Sequence, residues 1–214
     1  GQAGYSYINM VANYYKSGPA TSPEMVKYRI LDPWKNEGGY GKFYITDNFV
    51  YGYPEVTADN WDGGECGGVQ VTGNGGPNLK SKLIKDRSMR ADKPAPFEPI
   101  KQQTAEEAFE SVMQHVGCSF PNRDDLDKRI IEEVKTGTAK YGNNGIINSP
   151  NESSGYGTLK STTPPADSDH DGMPDEWEKA NGLNPNDPED RNAKGKGGFT
   201  NLVLYLESLV TKNT

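Results

Sequence analysis

The segment Ile8–Pro19 reads INMVANYYKSGP and aligns with Phe43–Pro54, FYITDNFVYGYP, at an offset of 35 residues. The alignment pairs Asn13 with Asn48, each inside a short run of apolar and aromatic residues. Such runs predict β-strands, here turning at the asparagine. Asparagines stacked in successive coils of a parallel β-solenoid hydrogen-bond one another and the backbone. The repeat favours solenoid coils, and two strands of an ordinary sheet are the alternative.

The residues between and after the two copies are rich in loops, with VKYRIL (Val26–Leu31) predicted as a strand. Basic side chains are spread through this region: Lys16, Lys27, Arg29, Lys35 and Lys42. They are either ordinary surface charges or one wall of a groove for an anionic chain. Trp61 follows in a Gly- and Asn-rich loop, where it either stacks on a sugar or packs against the loop.

Residues 97–148 change to helical periodicity. Thr104 and Glu107 form a T-x-x-E capping box, and the helix that it begins is predicted to stop at Gly117. A second helix opens after residue 122 and ends at Gly137. The apolar faces of the pair predict a cover that packs on the preceding sheet.

The segment Asp167–Glu178, DSDHDGMPDEWE, has the spacing of a twelve-residue EF-hand-type calcium loop. Gly172 stands at the sixth position, where that loop turns sharply. A solvated acidic linker is the other interpretation, but scattered acids would not reproduce this spacing. The predicted metal ligands are Asp167, Asp169, Asp171, Met173 through its backbone carbonyl, Asp175 and Glu178.

The tail beyond this loop contains GGFTNLVLYL, which predicts a strongly apolar final helix. With Gly198 placed at the sixth position of a second loop, only Asn201 offers a side-chain oxygen at a ligand position. A second calcium of the same type is therefore not expected. Asp187 and Asp190 are further candidates for oxygen ligands of the first ion.

The composition fits a loop-rich, β-dominated extracellular protein, with 25 Gly, 15 Pro and 12 Tyr in 214 residues. The net charge of −7, with the acids concentrated in the second half, argues against a nucleic-acid partner. No apolar run is long enough to span a membrane. Cys66 and Cys118 either pair in an oxidising compartment or stay reduced. The chain opens directly on strand-like sequence, so we expect further sequence upstream.

Four stretches carry a family resemblance: residues 5–23, residues 41–61, residues 96–142 and residues 167–190. In this order they resemble the C-terminal portion of secreted bacterial pectate lyases, polysaccharide lyases built on a right-handed parallel β-helix. The resemblance implies a mainly β fold, with the last coils followed by a short helical cover and a small calcium-loop helical tail. Residues 1–96 would form the coils and loops and 97–148 the cover. Residues 149–166 would form a linker, and 167–214 the EF-hand-like calcium-binding tail.

The family's chemistry is calcium-assisted β-elimination of polygalacturonate, with an arginine of an R-x-P-R-like motif as the base. No R-x-P-R occurs in this chain, and Arg29, in KYRIL, lacks the motif. We therefore assign no catalytic residue, and we expect the catalytic arginine and the catalytic calcium ligands upstream. GNGGPN, residues 73–78, lacks the context of a phosphate loop, so no organic cofactor site is assigned either.

The resulting expectation is the C-terminal part of a pectate-lyase-like protein that cleaves or binds polygalacturonate, with calcium as cofactor. Its partners would be the acidic polysaccharide and the N-terminal β-helix part of the same protein. The location would be secreted or extracellular, the bacterial surface and the periplasm included. A non-catalytic carbohydrate-binding or cell-surface attachment module with a structural calcium is the alternative.

Overall fold

The computed structural model describes residues 6–22, 24–72, 83, 85–119, 122–153, 155, 157 and 161–211. The glycine-rich residues 73–78 and parts of the predicted linker 149–166 lie outside the described residues. The chain divides into two compact units, Gly1–Gly157 (the first unit) and Thr158–Thr214 (the second unit). In the ranges given, no helix has the length and apolar character needed to cross a bilayer.

The two copies of the repeat pair with each other as parallel strands. Strand β1 (Tyr7–Val11) pairs with β3 (Lys42–Thr46), and β2 (Tyr14–Tyr15) pairs with β4 (Phe49–Val50). The register places Ile8 opposite Phe43, which is the predicted offset of 35 residues. The alignment of the two copies is therefore confirmed.

The prediction of a mainly β fold, with the last coils of a parallel β-helix, is wrong. The described strands are only five, two, five and two residues long and form two separate two-stranded sheets. Helices of eleven, twelve and eleven residues outweigh them. The predicted strand Val26–Leu31 is instead the end of a 3-10 turn followed by a bend, with one isolated bridge at Leu31. No closed solenoid is formed by the described part of the chain, because its connections are irregular loops.

Asn48 is fully buried between the paired strands, and its amide has partners on every side. The side-chain nitrogen donates to the carbonyl of Met10 at 2.8 Å and to that of Thr46 at 3.0 Å. The side-chain oxygen accepts from the backbone and side-chain nitrogens of Asn13 at 2.9 and 2.8 Å. The predicted contact between the two asparagines is confirmed. The sequence interpretation missed Asn60, whose side-chain oxygen accepts from the Asn48 backbone at 2.9 Å.

The core of the first unit lies beside this network. Trp61 is only 3% exposed, and its indole nitrogen donates to the carbonyl of Ile45 at 3.2 Å. The guanidinium of Arg90 lies 5.2 Å from the indole ring. Trp61 therefore packs in its loop and offers no face to a sugar. The buried apolar residues are Met25, Tyr28, Ile30, Phe43, Ile45, Val50, Val56, Trp61, Val69, Val71 and Met89.

Three helices complete the described first unit: α1 (Pro54–Ala58), α2 (Ala105–His115) and α3 (Asp125–Thr136). The predicted capping box of α2 is present, with the Thr104 and Glu107 side chains bonding each other's backbone nitrogens. Gly137 ends α3 in the left-handed conformation, as predicted. Helix α2 meets the sheet where the ring of Phe109 stacks on Tyr14 at 4.2 Å.

The second unit contains α4 (Asp175–Asn181) and the predicted apolar helix α5 (Asn201–Thr211). Trp177 of α4 packs edge-on against Tyr205 of α5, with ring centroids 5.3 Å apart. Between the helices, Asp190–Asn192 and Lys196–Gly198 form single 3-10 turns. The acidic segment Asp167–Glu178 leads into α4 and includes its first four residues.

We predict that Asn48→Ala lowers the free energy of unfolding of the first unit by about 3 kcal/mol. The substitution removes the side-chain hydrogen bonds to the Met10 and Thr46 carbonyls and to the Asn13 backbone nitrogen, and the loss of a partner costs a buried polar group roughly 1–3 kcal/mol. Asn13→Ala is the matched control because Asn13 is exposed, so its loss is expected to cost about 1 kcal/mol or less. Chemical denaturation of the 214-residue chain measures both. Equal losses in the two variants would contradict the central role of Asn48.

Candidate metal centre

The acidic loop folds back on itself around its own carboxylates. The backbone nitrogen of Asp171 lies 3.3 Å from an oxygen of Asp167 and 3.3 Å from one of Asp169. Gly172 has a φ of 96° and donates to Asp167 at 3.1 Å. A side chain at this φ would be strained, which explains the glycine at the sixth position. The predicted sharp turn is confirmed.

Two groups of carboxylates converge in this loop. Asp167, Asp169 and Asp171 each offer an oxygen within 4.8 Å of the others. The second group shares Asp171 and adds Glu178 and Asp190, with oxygens again within 4.8 Å of one another. Because both groups share Asp171, the carboxylates of the loop and of Asp190, at the start of a 3-10 turn, form one connected cluster.

The carboxylates of Glu178 and Asp171 are buried, with residue exposures of 0% and 3%. Burying a charge is costly unless another group pairs with it or a metal ion binds it. Several buried oxygens of this cluster accept no hydrogen bond from the protein: Asp169 Oδ2, Asp171 Oδ2, Glu178 Oε1, Glu178 Oε2 and Asp190 Oδ1. Unsatisfied carboxylate acceptors in one cluster are the groups whose burial a bound cation would compensate.

The pKa shifts of two of these carboxylates support the interpretation as a cation site. Burial, reinforced by the charges of Asp169 and Asp171, raises the pKa of Glu178 to about 7. Burial and the neighbouring charge of Asp171 also raise the pKa of Asp169. A bound cation would relieve the repulsion that both shifts report. Carboxylate oxygens without nitrogen or sulfur ligands suit calcium or magnesium rather than zinc.

Asp175, the predicted ligand at the ninth position, lies outside both groups. One of its oxygens accepts from the Ser168 backbone at 2.7 Å and the other from the Ser168 hydroxyl at 2.8 Å. These hydrogen bonds lower the pKa of Asp175. The buried side chain of Met173 anchors the loop, and its backbone carbonyl stays a predicted ligand.

The basic residues considered for a groove are engaged within the first unit. Lys16 donates to the carbonyl of Lys135 at 2.8 Å, and Lys27 pairs with Glu24 at 2.7 Å. Lys42 donates to the carbonyl of Ser88. The amino groups of Lys16 and Lys42 thus join segments distant in sequence, and that of Lys27 pairs within its own turn, so the interpretation as a groove wall is weakened.

Arg29 shows no catalytic arrangement. Its Nε donates to the side-chain oxygen of Gln70 at 2.9 Å, and Nη1 lies 3.4 Å from an oxygen of Asp32. The Gln70 side chain is fully buried, and its nitrogen donates to the carbonyl of Met25. The guanidinium therefore fixes a loop against the core.

The sequence interpretation missed Trp34, the most exposed tryptophan for which the structure gives a burial. Its exposure is 61%, and Lys35 follows it with its amino group 5.3 Å from the centre of the Tyr40 ring. An exposed indole beside a cation is the pairing that stacks on a sugar ring and attracts a carboxylate. The sequence interpretation considered only Trp61, for which it left stacking on a sugar and packing against the loop open.

Comparison with known proteins finds relatives over nearly the whole chain. It is 30% identical to a probable pectate lyase C of Aspergillus terreus and 31% identical to one of Aspergillus fumigatus, each over 97% of this chain. A probable pectate lyase C of Aspergillus flavus is 28% identical over 98% of the chain. No protein-family model matches.

The chain spans less than half the length of the curated relatives it matches, 43% for the first two and 44% for the third. The likeness to pectate lyases expected from the sequence is thus confirmed at the level of the curated relatives. These relatives are fungal, so the bacterial origin stays a prediction.

We predict that the metal-free second unit loses stability as pH rises through about 7. The pKa of Glu178 is raised from 4.5 to about 7 in the folded state, so folding favours its protonated form. That stabilisation is fully present below the unfolded pKa and is lost above the folded pKa. Hydrogen exchange of α4 and α5 peptides across a urea series, with chelator, measures the stability at about pH 5 and about pH 8.

Glu178→Gln should remove most of this pH dependence, because the amide cannot ionise. Glu176→Gln is the matched control, since Glu176 is exposed and lies two residues before Glu178 in the same helix, and it should retain the wild-type profile. A wild-type profile in Glu178→Gln would show that another group causes the dependence.

Proposed function

We propose that the chain is the C-terminal part of a pectate-lyase-like protein that acts on an acidic polysaccharide, and that its second unit binds one calcium ion. The polysaccharide assignment is supported by relatives named probable pectate lyase C that match 97% of the chain. The calcium assignment is supported by one observation above all. Glu178 is fully buried, and neither of its carboxylate oxygens accepts a hydrogen bond from the described protein.

Calcium suits this site better than magnesium. Calcium accepts about six to eight oxygens in a flexible shell, whereas magnesium requires a near-ideal octahedron and usually keeps several waters. The loop offers carboxylates from several positions, of which those of Asp171 and Glu178 are buried. Asp167, Asp169, Asp171, Glu178 and the carbonyl of Met173 would hold the ion.

The role we propose for this ion is structural. Neutralising carboxylates that repel one another in the folded state transfers binding free energy to folding. The ion would join the loop to α4, whose first turn contains both Asp175 and Glu178. Most of the oxygens that lack donors in this site are buried, which favours a structural role over direct binding of a uronate.

The elimination chemistry belongs, on this proposal, to residues that this chain does not contain. In β-elimination of polygalacturonate a base removes the C5 proton while a cation neutralises the adjacent carboxylate. The sequence holds no R-x-P-R motif, and Arg29 is bound to Gln70 and Asp32. The proposal includes the remaining part of the same protein as partner and an extracellular location.

A second candidate function, a non-catalytic carbohydrate-binding module, is favoured by the exposed Trp34 beside Lys35. The indole would stack on the apolar face of a sugar ring, and the amino group would attract its carboxylate. Both candidates require binding of acidic polysaccharide by the first unit. They differ in whether the intact protein cleaves it.

We predict that chelation accelerates hydrogen exchange in α4 and α5 and leaves β1 and β3 unchanged. Removing the ion restores repulsion among the buried carboxylates of the second unit, whereas the first unit contains none of them. Exchange measured by mass spectrometry with calcium and with chelator tests this expectation. Glu178→Gln should lose the slowing by calcium and exchange at the same rate in both conditions, and Glu176→Gln should behave as wild type. Equal exchange of wild type with and without calcium would refute the calcium assignment.

We predict that Trp34→Ala weakens binding of the 214-residue chain to polygalacturonate by about tenfold, the equivalent of one aromatic stacking contact. Affinity electrophoresis in gels containing polygalacturonate measures the change, with neutral galactan as the ligand control. Phe97→Ala is the matched variant, since Phe97 is 57% exposed and adjoins Glu98 rather than a cation. It should bind as wild type.

The same samples, assayed with calcium for the ultraviolet absorbance of unsaturated products, separate cleavage from binding. We expect binding without product from this chain alone. Product formation would show that the catalytic groups lie within these 214 residues. Absence of binding would remove both candidate functions of the first unit.

A further inference from the structure

We infer that Asp190, which lies outside the twelve-residue loop, is a ligand of the same calcium ion and replaces the loop's ninth position. The inference rests on the proposed calcium site and goes beyond it. It predicts that the ion joins the acidic loop to the segment that precedes α5. Spacing within the loop does not reveal this role, since Asp190 follows Glu178 by twelve residues.

The position of Asp190 carries the argument. One of its oxygens lies within 4.8 Å of oxygens of Asp171 and Glu178. Its Oδ1 is buried and accepts no hydrogen bond from the described protein. Its Oδ2 accepts from the backbone nitrogen of Asn184 at 3.0 Å, which fixes the orientation of the carboxylate. One oxygen thus positions the side chain, and the other is available to a cation.

Asp175 is arranged in the opposite way. Both of its oxygens accept hydrogen bonds from Ser168, and Lys179 approaches one of them at 3.8 Å. Its carboxylate therefore closes the loop onto the first turn of α4 and has no oxygen without a partner. To ligate the ion, Asp175 would first have to give up these bonds.

The number of available oxygen ligands is consistent with Asp190 in place of Asp175 at the ion. One oxygen each from Asp167, Asp169, Asp171 and the Met173 carbonyl, with two from Glu178, makes about six. In EF-hand loops the ninth position often acts through a water molecule. Asp190 would place a charged protein oxygen there instead, within the range that calcium accepts.

Further contacts connect Asp190 to the last helix. Its backbone carbonyl accepts from the side chain of Asn201, the buried first residue of α5, at 2.8 Å. The neighbouring Arg191 donates to the carbonyl of Asp171 at 3.1 Å. An ion held by Asp190 would therefore stabilise the attachment of α5 to the loop. This explains how the tail holds together although its second loop retains only Asn201 at a ligand position.

The test compares three conservative variants of the 214-residue chain by calorimetric titration with calcium. Asp190→Asn should weaken calcium binding by roughly tenfold or more, because it removes one charged ligand of the ion. Asp175→Asn should weaken it less than Asp190→Asn does, because the amide keeps an oxygen that can accept from Ser168 and no ligand of the ion is removed. Asp187→Asn, in the same segment, should bind as wild type because Asp187 lies outside both carboxylate groups.

The stability of each metal-free variant separates lost ligation from lost folding. Asp190→Asn keeps an oxygen that can accept from Asn184 and removes a buried charge. Its metal-free second unit should therefore be at least as stable as that of wild type in the urea series. Weaker calcium binding by an equally stable variant supports the inference, whereas a destabilised variant would assign Asp190 a purely structural role.

The outcomes also distinguish this inference from the proposed function. If wild type binds no calcium, the proposed site itself fails. If wild type binds and Asp190→Asn binds equally well while Asp175→Asn does not, the ninth position is the ligand and the inference is overturned. Calcium should also slow exchange in α5 of wild type and Asp175→Asn more than in Asp190→Asn. Equal protection of α5 in all three would contradict the connection to the last helix.

Discussion

The first unit depends on the buried side chain of Asn48, whose amide hydrogen-bonds both copies of the repeat and Asn60. A buried amide is tolerated only when its donors and acceptors are satisfied, so this side chain permits a single register of the two copies. The residues before the two asparagines, Ala12 and Asp47, both adopt positive φ, at 53° and 57°. This backbone conformation is costly for residues other than glycine, and the hydrogen bonds of the asparagines that follow offset it.

In the second unit, by contrast, a buried polar side chain lacks hydrogen-bond partners. Asn48 is buried with partners, whereas Glu178 is buried among other carboxylates with no donor in the described protein. The first arrangement is satisfied by the protein itself, whereas the second is destabilising until a proton or a cation neutralises it. On the proposed function, folding of the second unit is therefore coupled to its ionic surroundings.

Sequence patterns predicted the features that depend on a few neighbouring residues. The capping box at Thr104, the left-handed Gly137 and the turn at Gly172 belong to this class, because local backbone chemistry decides them. The predicted fold class was wrong because the repeat specifies only two short strand pairings. Irregular loops with long-range contacts form much of the remaining first unit. The exposure of individual side chains could not be predicted from the sequence either. Trp61 and Trp34 both lie in loop-like sequence, and only the packing of the fold shows that Trp61 is buried and Trp34 is exposed.

In the candidate metal centre, too, sequence spacing does not show which individual side chains are available as ligands. The loop template assigns Asp175 by its position, yet the Ser168 hydroxyl binds that carboxylate, and no spacing rule includes Ser168. Asp190 reaches the site only because the chain turns at Asn184 and holds its carboxylate in place. A motif thus gives the class of ligand, oxygen for a hard cation, and the tertiary fold decides which oxygens remain without donors. Since the unsatisfied acceptors, rather than the motif positions, experience the cost of burial, they are the atoms on which a cation has the largest effect.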